Sequence, residues 1–119
     1  MVVMDALMII NGAPYGNDAT FNAIRLAVSM AKREDVEMTV FLMGDGVGAA
    51  VSGQQTPDGY YKLDRMLGIV LREGGAIKCC GTCMDARGIK AEMLIAGAGR
   101  STMEELTDLT LAADKVLVF

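Results

Sequence analysis

The chain has 119 residues, 52% hydrophobic and 22% charged, which suits one domain over residues 1–119 with a packed core and excludes a disordered segment. Eleven basic and fifteen acidic residues leave a net charge of −4 with no basic run, which argues against a nucleic-acid surface. No apolar stretch approaches the roughly 18 residues of a bilayer span, and "MVVMDALMII" is broken by Asp5 and lacks a basic leader, so the chain reads as cytoplasmic with no membrane partner.

"ALMII" (6–10) is a continuous apolar run, the pattern of a strand covered on both faces. "NGAPYG" then makes a loop, and Asn17 or Asp18 can cap a helix carrying Phe21, Ile24, Leu26, Val28 and Ala31, ending near Arg33. A second strand is expected from Val36 to Met43. The glycine-rich stretch 44–59 follows, with at most a short helix around 47–51; loops of that length usually cover a site or contact another subunit. Tyr61, Leu63, Met66, Leu67, Val70 and Leu71 form a helical stripe ended by Gly74 and Gly75. "AIKC" is a short third strand, "GTCMDARG" a brief helical turn closed by Gly88, and Met93 to Ile95 a fourth strand. Ser101 with Glu104 reads as a capping box for a last helix, and "KVLVF" is a fifth strand.

This alternation implies an α/β sandwich around a mostly parallel sheet of five strands. Ligands in such sheets sit beyond the carboxyl ends of the strands. There "NGAPYG", the 44–59 stretch, "CGTCMDARG" and "GAGR" come together, and the reactive site is expected where the cysteine loop meets one or more of the others.

All three cysteines lie in "KCCGTCMDARGI", in a chain without histidine. A structural zinc site takes four ligands, usually Cys or His, and one C-x-x-C supplies two, so no metal is expected in a single chain, and no cofactor. "NGAPYG" lacks the Lys-Ser/Thr of a phosphate-binding loop. The ten methionines fall mostly on positions that should be core. Cys79 ends an apolar strand and reads as buried filler. Cys80 and Cys83 lie among Gly, Thr, Asp and Arg, which leaves open a reversible disulfide or a thiolate that accepts sulfane sulfur and passes it on. Asn11 and Tyr15 either line the cysteine pocket or serve a turn and a subunit contact.

These segments together resemble the DsrE/DsrF-like sulfur-transfer family, in its YchN-like branch: "NGAPYG", "FNAIRLA", "VFLMGDGV", "SGQQTPDGYY", "CGTCMDARGI" and "LAADKVLVF", in that order along nearly the whole chain. The resemblance implies a three-layer α/β/α fold, homo-oligomers (trimers paired into hexamers), and sulfur donor and acceptor proteins as partners. It also implies a functional cysteine at the end of the third strand, with Arg-Gly seven and eight positions later. Cys80, Arg87 and Gly88 match that pattern, Cys83 matches the second cysteine of the branch, and Cys79 departs from its usual aliphatic residue. The expected site therefore has Cys80 as sulfur carrier and Cys83 as second or resolving thiol. Arg87 and the N–H groups near Gly81 would stabilise the thiolate, with the Asn11–Tyr15 loop shaping access. The alternative is a redox-responsive binding protein that toggles a Cys80–Cys83 disulfide and carries no sulfur.

Overall fold

In a computed structural model, which describes residues 1–119, the strands are β1 (Met4–Ile10), β2 (Val36–Leu42), β3 (Ala76–Cys80), β4 (Ala98–Ser101) and β5 (Lys115–Val118). They form one sheet in the order β4-β3-β2-β1-β5, with every neighbouring pair parallel. The helices are α1 (Asp18–Ala31), α2 (Leu63–Arg72), α3 (Gly81–Ala86) and α4 (Met103–Ala112).

Alternate strand residues point to opposite faces. On one face the register stacks Met8, Val40 and Ile77 in one row and Ile10, Leu42 and Cys79 in the next, all of them buried. α1 and α2 pack together over this face. On the other face Leu7 and Thr39 meet Leu109 and Ala113 beside α4. The result is three layers, as right-handed crossovers require when the chain steps from β1 to β4 one way and returns past β1 to β5 the other way.

Local signals fix most boundaries. Asn17 caps α1 by accepting from the Ala19 N–H at 3.0 Å. α2 ends in paired bonds, Gly74 N–H to Leu71 O and Gly75 N–H to Val70 O, with Gly74 at φ +92°. α3 ends the same way: Gly88 N–H bonds Asp85 O, Ile89 N–H bonds Met84 O, and Gly88 has φ +66°.

Two expectations are corrected. Residues 93–95 do not form the fourth strand. Ala91–Met93 is a single 3₁₀ turn, and Leu94 makes an antiparallel bridge to Val51. Ile95 N–H bonds Ala50 O and Ser52 N–H bonds Met93 O, so this apolar run is spent on the 50–52 segment. β4 is instead the weakly strand-forming "AGRS", held in place by its pairing with β3. The cap of α4 is also one residue later. Thr102 accepts from the Glu105 N–H at 3.2 Å, because Ser101 is still in β4.

The 44–59 stretch divides in two. Gly44–Ala50 is a 3₁₀ segment with Val47, Ala49 and Ala50 fully buried. The Gln54 side-chain amide then donates to the carbonyls of Gly48, Ala49 and Val51 and ties the segment off. No helix is long and apolar enough to cross a membrane.

Candidate functional site

β3 delivers Cys79 and Cys80 to opposite faces. Cys79 is 0% exposed, in the layer under α1 and α2, and burial, with the neighbouring Cys80, pushes its thiol up to about 12. Cys80 is the last strand residue and also the N-cap of α3. It is 7% exposed and lines a cavity of about 170 Å³.

The Cys80 sulfur collects donors. The Cys83 N–H points to it at 3.4 Å, the Thr82 hydroxyl lies at 3.3 Å, and the Cys83 thiol donates at 2.7 Å. Burial pushes the Cys80 thiol up, but bonds from the Cys83 thiol, the Thr82 hydroxyl and the N–H groups of Cys83 and Thr82 outweigh it, and the net direction is down. Cys83 moves the opposite way: burial and its bond to Cys80 raise it, against weaker lowering by the Gly44 backbone and Arg87. Of the pair, Cys80 therefore gives up its proton the more readily, with Cys83 as its hydrogen-bond donor.

Arg87 sits at the C-terminal end of α3. Its Nε and terminal nitrogen meet Asp45 Oδ1 at 3.0 and 2.9 Å, and Nη1 donates to the Cys83 carbonyl at 3.0 Å. The guanidinium therefore serves Cys83 and the 3₁₀ segment, not the Cys80 sulfur directly. Gly81 N–H is not among the donors to Cys80; those N–H groups belong to Thr82 and Cys83. Asn11 lies apart: its backbone N–H and side-chain amide both reach the Phe119 carbonyl. Tyr15 donates to Gln54 and accepts from the Leu63 N–H at 3.1 Å, pinning the segment before α2. Neither lines the Cys80 cavity. No three His, Cys, Asp or Glu side chains are grouped to hold a metal ion.

The far wall of the cavity comes from β4 and the start of α4: Arg100, from the "GAGR" stretch expected near the cysteine loop, and Ser101, Thr102 and Met103, none of them singled out in the sequence as site residues. Ser101 is the register partner of Cys80. Its hydroxyl binds Glu105, which also takes Lys78 at 3.5 Å. Arg100 lies across Gly81 and grips Asp85 of α3 with two bonds of 2.7 and 2.8 Å. A Cβ on Gly81 would fall 2.8 Å from the Arg100 Cζ and Nε, so glycine is what admits the guanidinium there. "GAGR", expected as a loop after the fourth strand, overlaps that strand, which carries Arg100 and Ser101 to the cavity.

The profile of the "DsrE/DsrF-like family" matches residues 4–119. "Protein YchN" of Escherichia coli (strain K12) is 41% identical over 114 residues, spanning 95% of this chain and 97% of the relative. An uncharacterised protein of Methanocaldococcus jannaschii, MJ0989, is 35% identical over 116 residues, 98% of this chain and 100% of the relative. The crystal structure of the YchN protein from E. coli superposes with a TM-score of 0.92 at 40% identity, over 98% of this chain and 100% of that one. BT1422 of Bacteroides thetaiotaomicron, at 20% identity and a TM-score of 0.72, shares the fold. With the parallel five-stranded sheet and the match over almost all of its length, the chain belongs to the DsrE/DsrF-like family.

Proposed function

We propose that the protein is a sulfur-relay carrier that holds sulfane sulfur as a persulfide on Cys80. The observation that carries this is the Cys80 sulfur itself: depressed in pKa by four hydrogen bonds, yet open to a cavity with room for an added sulfur atom. A thiolate at this position attacks a sulfane sulfur, forming a new S–S bond as the donor's leaving group departs with the electron pair of the old one. Cys83 supplies a hydrogen bond to the carrier, and once deprotonated it would attack the outer sulfur in a second step, with Cys80 leaving as the thiolate. Arg87 and Asp45 hold the Cys83 carbonyl end of α3 in place, and the Asn11–Tyr15 loop acts at a distance, by fixing the 54–63 segment.

The test is intact mass under non-reducing conditions after exposure to sulfane donors. The expected result is gain of one sulfur atom in the wild type and none in Cys80→Ser. Serine is a good N-cap, so that variant keeps α3 capped while removing the chemistry. Absence of the adduct in wild-type protein with several donors overturns the proposal.

A second reading is supported by the 2.7 Å separation of the two sulfurs. With an external oxidant, Cys80 and Cys83 would lose two hydrogens and form a disulfide, and the protein would act as a redox-responsive binding partner. Mild oxidation followed by mass mapping separates the two: loss of two hydrogens without any sulfur gain from donors favours the disulfide.

A further inference from the structure

The cavity in front of Cys80 has a chemical character that the two cysteines do not explain. Its walls carry one cation, Arg100, and three hydroxyls, from Thr82, Ser101 and Thr102, and no carboxylate. The nearest carboxylates, Asp85 and Glu105, stand behind this lining, bonded to Arg100 and Ser101. Asp85 engages two terminal nitrogens of Arg100, but a guanidinium carries five N–H donors, so further ones remain for a second acceptor. Asp85 therefore positions Arg100 without saturating it. The Asp85 contact, first of all, and then the nearby Cys80 sulfur hold the guanidinium in its charged form.

Geometry limits what can enter. At about 170 Å³ the cavity has the volume of roughly five or six waters, room for a small oxyanion beside the sulfur. Because Cys80 and Arg100 line the same small space, the negative charge of an occupant must lie within a bond or two of the sulfur under attack.

We infer that Arg100 is the specificity-determining residue of the Cys80 cavity and selects a small sulfane donor whose transferable sulfur is bonded directly to an oxyanionic group, the thiosulfate and thiosulfonate class. This rests on the sulfur-carrier reading and names its donor. With thiosulfate the step balances as follows. The Cys80 thiolate attacks the outer sulfur, a Cys80 S–S bond forms, the S–S bond of thiosulfate breaks, and sulfite leaves with that electron pair. The charge is −3 on each side, and no oxidant or reductant is consumed. Arg100 holds the sulfonate end throughout, and the Thr102 hydroxyl, whose oxygen accepts from the Glu105 N–H and whose proton is free, completes its solvation.

The experiment compares single-turnover sulfuration of the wild type, Arg100→Met and Asp85→Asn by thiosulfate and by an uncharged dialkyl trisulfide. Arg100→Met is expected to lower the ratio of thiosulfate to trisulfide rate constants by roughly tenfold or more, the effect of one charge-assisted contact. Asp85→Asn, which removes the competing carboxylate, is expected to raise the same ratio. An unchanged ratio in Arg100→Met overturns the inference, and so does an equal loss with both donors. Binding of thiosulfate to Cys80→Ser, measured by titration calorimetry and lost in Cys80→Ser/Arg100→Met, reads the cavity without any transfer. If that binding is present but wild-type protein is never sulfurated, the carrier reading fails and the anion cavity stands. If the trisulfide sulfurates the wild type while Cys80→Ser binds no thiosulfate, the carrier stands and the role of Arg100 falls.

Discussion

At Cys80 two influences oppose each other on one sulfur, and the hydrogen bonds win over burial. A thiol is a weak acceptor and a thiolate a strong one, so capping of α3 by this side chain strengthens when the proton leaves. Alkylation rate against pH should therefore show a midpoint for Cys80 below the ordinary thiol range near about 8.5, and Cys83→Ala should move it up by removing the strongest donor. One residue earlier the sign reverses. The folded pKa of Cys79 is raised to about 12, so the unfolded chain loses its proton first. Stability contributed by this group is intact below the ordinary thiol pKa and is lost as pH rises from there towards about 12, at up to about 1.4 kcal/mol per pH unit. Urea unfolding at neutral and alkaline pH should show that loss, and Cys79→Val should flatten it. At Gly81 an added methyl meets the Arg100 guanidinium. Gly81→Ala is expected to displace Arg100 and slow sulfuration by thiosulfate with little loss of stability, because the guanidinium is the far end of a flexible side chain and can swing aside, read by the rate and by denaturation.

Among the elements, the 3₁₀ segment Gly44–Ala50 links the second and third strands to the site. Gly44 faces Cys83, and Asp45 holds Arg87, while Val47, Ala49 and Ala50 sit in the core. Arg87→Met is expected to leave stability within about 1 kcal/mol, since an ion pair this exposed is worth little, while raising the Cys83 pKa further by removing a positive charge. Thiol titration by NMR checks both directions. The elements that the sequence made legible are those with local causes. Asn17 acts through its side-chain cap and Gly74 and Gly88 through their own backbone bonds, and the apolar runs of the three central strands need no partner to be recognised. β4 was not legible because "AGRS" owes its strand to its neighbour, and the stronger candidate at 93–95 was claimed by Val51. The site divides the same way. Cys80, Cys83 and their N–H donors are close in sequence, whereas Arg100 and Ser101 reach the cavity only through the β3–β4 register. Tyr15 and Asn11 flank a strand end, as expected for site residues, but their partners are Gln54, Leu63 and Phe119.

Across the whole molecule apolar surface is unevenly distributed. Leu111 (82% exposed), Val118 (64%), Met103 (61%), Val116 and Phe119 belong to α4 and the β5 edge, or adjoin them. We read this side as the surface on which copies of the chain assemble, the expectation from the apolar excess of the sequence. Sedimentation should then give a trimer or hexamer for the wild type, and Leu111→Glu with Val118→Glu should shift it to smaller species with the fold retained. The opposite edge of the sheet bears differently on the site. β4 has four residues, one neighbour and only Ser101 buried, while β2 lies in the middle of the sheet. One wall of the Cys80 cavity is therefore built from a short edge strand. Local opening of an edge strand costs far less free energy than global unfolding, so amide exchange in residues 98–101 should run well ahead of that in β2. Each such excursion would widen the approach to the Cys80 sulfur, so that access for a large reactant depends on the pairing of four backbone residues as well as on the thiol chemistry.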